Sequence, residues 1–247
     1  MRLSVIIPYY NRRAKLINTL LSFNPLKDME IIIVDDGSSS DHAVSDLFFE
    51  GYNIRVIRIE RSAIWRGPCI ACNTGFRATT GDVILINSPE CMHIGNVMGY
   101  IYDHFKEDSY MAFSTLMGAK NMNIKNFNTT NPESFFTQSK TYNTWWGVHS
   151  SIGNFIPYCA VISKKNMDVL NGYDERYIKG VGYDDYDFTH RVWNLKLKMQ
   201  CIDDPFVFHQ WHKPTNYPNT INLDLLNKLN KEQPGRIKAN VVSESNF

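Results

Sequence analysis

The 247-residue sequence has almost no excess of either charge: 26 Lys and Arg stand against 25 Asp and Glu, a formal net charge of +1. A surface so balanced has no global field to gather a polyanion, and no basic run exceeds two or three residues, so nucleic acid is not an expected partner. Long apolar runs are missing too. Nothing reaches the ~18 residues that a membrane span requires. No charged leader with a small-residue cleavage site precedes Leu3-Ser4-Val5-Ile6-Ile7, so the expectation is a cytoplasmic protein without a transmembrane segment. Cysteine is sparse and odd in number, five in all, which argues against a disulfide framework and for reduced thiols. No G-x-G-x-x-G follows an apolar run and no G-x-x-x-x-G-K-[ST] occurs, which removes the usual dinucleotide and P-loop readings. Internal repeats and low-complexity blocks are absent as well.

What is present is an alternation of short β-branched runs with helical patterns over the first 115 residues, the signature of βαβ units in a sheet covered by helices. Strands are predicted over 3–7, 30–34, 54–59, 83–86 and 110–116, and helices over 13–23, 41–49, 68–78 and 95–105. The strands are apolar without interruption, as expected for a parallel sheet buried on both faces. From 117 to 155 the pattern dissolves into Asn, Thr, Ser and aromatics. So long a loop in a compact domain reads as a lid or acceptor loop, or as a surface excursion. Regularity resumes with a strand at 158–163, helices at 164–170 and 185–195, strands at 199–202 and 206–208, and a tail helix at 223–230. The expected division is one domain over 1–212, made of halves at 1–116 and 158–212 with the loop or lid at 117–157 between them, and a C-terminal extension over 213–247.

Ligands of open α/β sheets bind beyond the carboxyl ends of the strands. Those places hold Pro8-Tyr9-Tyr10-Asn11, Asp35-Asp36-Gly37-Ser38 and Asn87-Ser88-Pro89-Glu90. Carboxylates at a strand end, such as Asp35 and Asp36, are charge-assisted acceptors for a ligand's N–H or O–H donors, and Tyr10 offers an aromatic face beside them. The same Asp-Asp-Gly-Ser string also reads as a turn that caps a helix. Cys69-Ile70-Ala71-Cys72 lacks a second pair, so it reads as small thiols packing a helix rather than as a zinc site.

The string from Ser4 to Asn11 followed by Glu30 to Ser38 closely resembles the nucleotide-binding start of family-2-type glycosyltransferases with the GT-A fold. Gly67-Pro68-Cys69-Ile70-Ala71-Cys72-Asn73-Thr74-Gly75 matches that family's G-x-x-x-A-x-N-x-G stretch. The segment Gly180 to Phe188 with Arg191 is similar to its G-x-E-D-x-D-hydrophobic-x-x-R stretch. The matches run in family order over about residues 3–212. The resemblance implies an α/β, GT-A-type nucleotide-diphospho-sugar transferase fold, a mostly parallel central sheet flanked by helices. It further implies an inverting hexosyltransferase, of the kind used in polysaccharide biosynthesis, that carries sugar from a nucleotide donor, UDP-linked by preference, to a hydroxyl of a glycan or related acceptor.

By that likeness Asp185 is the general base, Asp184 its acidic neighbour and Arg191 a phosphate contact or a brace for the carboxylates. The acidic pair also reads as the cap and first turn of a helix. Donor contacts are expected from Pro8, Tyr10, Asn11, Asp35, Asp36, Arg66, Asn73 and Ser88. The aromatics Trp145 and Trp146, with His149, would meet the acceptor. Departure from the family is sharpest at its D-x-D metal motif, where Ser88-Pro89-Glu90 stands with one carboxylate. Glu90 is then the expected ligand for a divalent cation, joined by His209 or His212 after the last strand. Carboxylate with imidazole favours Mn²⁺ over Mg²⁺. Without a metal, Arg66, Arg191 or a histidine would have to carry the charge. The rival reading is a catalytically silent nucleotide-sugar or glycan-binding module. A nucleotidyltransferase is disfavoured because no Gly- and Lys/Arg-rich loop follows Ile7.

Overall fold

The structure is a computed structural model and describes residues 1–118, 120, 148–213 and 218–239. Among them an eight-stranded sheet forms the centre, in the order β3-β2-β1-β4-β9-β6-β10-β5. Its strands are β1 (Leu3–Tyr9), β2 (Met29–Asp35), β3 (Ile54–Arg58), β4 (Val83–Asn87), β5 (Cys91–Ile94), β6 (Ser109–Met117), β9 (Cys159–Ser163) and β10 (Lys198–His209). The pairs β1–β2, β1–β4, β2–β3 and β6–β10 run parallel, whereas β9 opposes both β4 and β6, and β5 opposes β10. The sheet is therefore parallel from β3 through β2 and β1 to β4, with antiparallel strands inserted beyond β4.

Helices α1 (Arg13–Leu21), α2 (Cys69–Ala78), α3 (Val97–His104), α4 (Lys164–Leu170), α5 (Asp184–Asn194) and α6 (Thr220–Glu232) accompany the sheet. Two buried clusters hold the layers together. One joins β1, β2, α1 and α3 through Val5, Ile7, Leu16, Ile33 and Ile101. The other joins α2, β9, α4, α5 and α6 through Phe76, Ile162, Leu170, Phe188 and Leu226. Helix α2 lies so close to the sheet that a Cβ on Gly75 would come within 2.4 Å of Ile6 Cγ2, so only glycine serves there.

Three expectations change. The segment 41–49 contains only a 3-10 turn, Ser40–His42. Side chains take the carbonyls a helix would need: the Tyr9 hydroxyl donates to His42 O at 2.6 Å and Arg13 donates to Ala43 O. Val44 is then buried and Leu47 packs on the first cluster. Second, the strands expected at 199–202 and 206–208 are one strand, β10, whose register against β6 shifts between Ile202 and Val207. Third, β5 was not foreseen, its four residues being too short a run to show a period. Within the long loop, β7 (Val148–His149) and β8 (Asn154–Phe155) form a small hairpin.

Candidate active site

A cavity of about 490 Å³ opens at the carboxyl ends of β1, β2 and β4. Of the residues singled out from sequence, Pro8, Tyr10, Asp36, Arg66, Ser88, Glu90 and Asp185 line it. Arg66 reaches Asp36 with Nε at 2.8 Å and donates from Nη2 to Glu60 O at 2.7 Å. Burial raises the Asp36 carboxyl despite that guanidinium. The loop carrying Arg61, Ile64 and Trp65 closes the same side.

Other expected donor contacts point elsewhere. Asp35 is 2% exposed, accepts from Ser38 N at 2.8 Å and pairs with Arg58. It shapes the turn and leaves the cavity wall to Asp36. Asn11 takes a left-handed φ of 51° and accepts from Ser39 N, so it is a turn residue. Asn73 is buried between the halves of the sequence. It accepts from Tyr173 N at 2.7 Å and donates to Tyr173 O and Glu175 Oε1, both at 2.9 Å. Gly172 sits beside it with φ +69°, where a Cβ would come within 2.3 Å of Asn73 Oδ1. Asn73→Ala would leave a buried N–H and C=O of Tyr173 unpaired, so a loss of about 3 kcal/mol is expected in urea unfolding. An unchanged midpoint would remove Asn73 from that structural role.

The acidic pair opens α5, after Tyr183 in a left-handed turn with φ 65°. Asp184 is buried and accepts from the Cys69 thiol at 3.7 Å. Asp185 faces the cavity and makes no side-chain hydrogen bond among the described residues. Burial raises both carboxyls, Asp185 well above the usual range, with the Asp184 charge adding to it. Arg191 is on the far side of α5, 1% exposed, and does not reach the pair. It binds Asp187 at 2.8 Å and the carbonyls of Leu170 and Gly172 at 3.1 and 2.9 Å. Its spacing from Asp185 carries it round the helix, which is why it braces Asp187 instead.

Glu90, His209 and His212 come together, one ligand atom of each within 4.8 Å of the others. Strand β5 makes this happen: its antiparallel pairing with β10 sets His209 opposite Cys91. Gln210, fully buried, donates to Glu90 O and to Lys15 O on α1, which locks the corner. His212 Nε2 lies 3.0 Å and His209 Nε2 3.6 Å from Glu90 Oε1. Burial alone would raise Glu90, but the His212 contact and the charges of Arg12, His209 and His212 lower it to about 2. Burial lowers His209 to about 4, leaving a neutral imidazole at physiological pH. Glu90 Oε2 is buried with no partner among the described residues. An unsatisfied buried carboxylate oxygen beside the ring nitrogens of His209 and His212 is a donor set that fits a divalent cation of the Mn²⁺ type. The sequence reading passed over Arg12, which pairs with Glu90. It also passed over Gln210 and the contact of the Cys69 thiol with Asp184. The basic Arg12-Arg13 start of α1 was the one available signal.

His149 is in the β7–β8 hairpin, with Nδ1 2.6 Å from Ser151 Oγ and Nε2 3.8 Å from Asp203, and does not line the cavity. Trp145 and Trp146 lie outside the described residues. Among the described residues no helix is long and apolar enough to cross a membrane.

A mixed sheet with its cavity beyond β1, β2 and β4, an acidic pair opening α5 and a carboxylate turn after β4 define a GT-A-type sugar-nucleotide domain. The chain belongs to glycosyl transferase family 2, whose profile matches residues 4–169. It is 24% identical over 271 residues to a Bacillus subtilis (strain 168) protein described as uncharacterized glycosyltransferase YfnE, covering 87% of this chain and 66% of that protein. S. aureus TarS is similar in structure, with a TM-score of 0.60 at 14% identity over 85% of this chain and 37% of TarS. So is S. aureus TarS 1-349 in complex with UDP-GlcNAc, at TM-score 0.59, 15% identity and 87% and 60% coverage. The mannosyltransferase PcManGT from Pyrobaculum calidifontis, in complex with GDP-Man and Mn²⁺, gives TM-score 0.54 at 15% identity, with 87% and 58% covered. The chain thus spans less than two thirds of the length of these relatives.

Proposed function

We propose that this chain transfers a sugar, with inversion, from a nucleotide-diphosphate donor to an acceptor hydroxyl, and that Asp185 is the base. The observation that carries this reading is one cavity walled by Tyr10, Asp36, Arg66, Glu90 and Asp185. Tyr10, 37% exposed at the rim, offers a face to the base, and Asp36 with Arg66 offers an acceptor and donors to the nucleoside. Glu90, His209 and His212 would hold a divalent cation, which when bound would supply positive charge to the departing diphosphate.

Chemistry then falls to the chain's own carboxylate. The acceptor oxygen forms its bond to the anomeric carbon as the bond to the diphosphate breaks, and an Asp185 oxygen takes the hydroxyl proton. Asp185 is suited to that role because it carries no competing hydrogen bond, and because burial and Asp184 raise its proton affinity. The UDP-GlcNAc held by the TarS neighbour supports a UDP-linked donor. Calorimetric titration with UDP, GDP, CDP and dTDP, each in Mn²⁺ and again in EDTA, tests the donor half. Tight binding of one nucleotide in Mn²⁺ that weakens in EDTA is expected. Absence of binding in either buffer would overturn it in favour of a glycan-binding module.

A further inference from the structure

We propose that Arg12 and a divalent cation are alternative occupants of the Glu90–His209–His212 corner, so that Arg12 leaves when cation and donor diphosphate arrive. The inference rests on the metal reading above and adds to it the group that guards the site. Arg12 is at the start of α1, where its N–H donates to the Tyr9 hydroxyl at 3.2 Å and its carbonyl accepts from Leu16. From that fixed backbone the side chain crosses the cavity floor to Glu90 Oε1, and Nη2 stands 3.3 Å from His212 Nδ1. The Glu90 side chain is 5% exposed. A carboxylate so buried is strongly unfavourable without a counter-charge, and Arg12 is the cation that supplies it. A second cation on the same carboxylate would repel the first.

His212 separates the two states. With Arg12 donating to Nδ1, the ring proton belongs on Nε2, where it points at Glu90 Oε1, 3.0 Å away, and closes that nitrogen to a metal. Lys213 O lies 3.1 Å from the same Nδ1. Once Arg12 withdraws, Nδ1–H donates to that carbonyl and the Nε2 lone pair opens toward the corner, the arrangement that metal-bound imidazoles favour. Arg12 is 30% exposed at its side chain and flanks the cavity, so a diphosphate within the cavity gives its guanidinium a new bidentate partner.

Mn²⁺ affinity of the full chain, read by electron paramagnetic resonance without nucleotide, tests the exchange. Arg12→Gln is expected to bind Mn²⁺ about tenfold tighter than the wild type, about 1.4 kcal/mol. Arg13→Ala, which loses only contacts to Ala43 and Asp46, is expected to match the wild type. Adding UDP should tighten Mn²⁺ in the wild type more than in Arg12→Gln, because binding of the two ligands is reciprocally linked through Arg12. Equal or weaker Mn²⁺ binding by Arg12→Gln would overturn the proposal, and so would no Mn²⁺ binding by any variant. UDP binding measured in EDTA reads the donor pocket separately. Imidazole ¹⁵N shifts of the metal-free wild type give a readout needing no variant: Nε2–H on His212 is expected, and Nδ1–H would overturn the exchange.

Discussion

Asp185→Asn is expected to lower turnover at least about a hundredfold while nucleotide affinity stays within about twofold, since a general base supplies a factor of roughly 10²–10⁴. Asparagine keeps the shape and the cavity wall but has no site for the acceptor proton. Turnover within a factor of three of the wild type would remove the base assignment. The same variant carries a stability prediction with a definite sign. Because burial and Asp184 raise the Asp185 carboxyl in the folded chain, the folded state holds a proton that the unfolded state releases. Stability therefore falls as pH rises from the ordinary carboxylate range through the raised value. Removing the charge relieves that penalty, so Asp185→Asn should be more stable than the wild type at pH 7.5, and the gain should shrink as pH approaches 4. Urea midpoints at the two pH values check this, and a gain that grows at pH 4 would contradict the electrostatic account.

Arg191→Met is the second large effect, on stability rather than chemistry. The guanidinium satisfies Asp187 and two main-chain carbonyls at once, in a region with 1% exposure. Asp187 also accepts from Tyr177 and Arg236, and Arg236 binds Asp174, so the network ties α5 to the segment after α6. Taking one partner out of a buried charged network costs about 3–5 kcal/mol, a large share of the roughly 5–15 kcal/mol that holds a domain folded. The expected readout is a urea midpoint lowered by about a third or more, with nucleotide affinity retained where the chain remains folded. A variant of wild-type stability that loses nucleotide binding would return Arg191 to the phosphate role the sequence suggested.

The difference between those two residues shows how far a sequence reading extends here. The start of α5 at the Asp184–Asp185 pair was legible because helix-start signals are local: two acids ahead of an apolar period announce where the helix begins. Arg191 was misplaced because helical rotation carries it to another face, and the partner that captures it, Asp187, looked like part of the same acidic motif. Asp35 and Asp36 divide for a similar reason. Alternation along β2 and the turn at Ser38 send one carboxylate to Arg58 and the other to Arg66. Asn73 read as a donor contact and instead joins α2 to the Tyr173 backbone, a pairing one hundred residues apart in sequence.

By itself the sequence determined the alternation of buried strands and covering helices, the edge where the cavity lies, and the set of chemical groups available there. Those follow from apolar periodicity and turn chemistry, which act over a few residues. Only the tertiary structure decided that β9 and β5 run against their neighbours and that the β5–β10 pairing is what holds His209 and His212 beside Glu90, a grouping the family resemblance leads one to expect. It also decided that Arg12 reaches them from the start of α1. Such meetings depend on strand register and on which side chains satisfy buried partners, and those are set by the whole core packing at once rather than by any short stretch of chain.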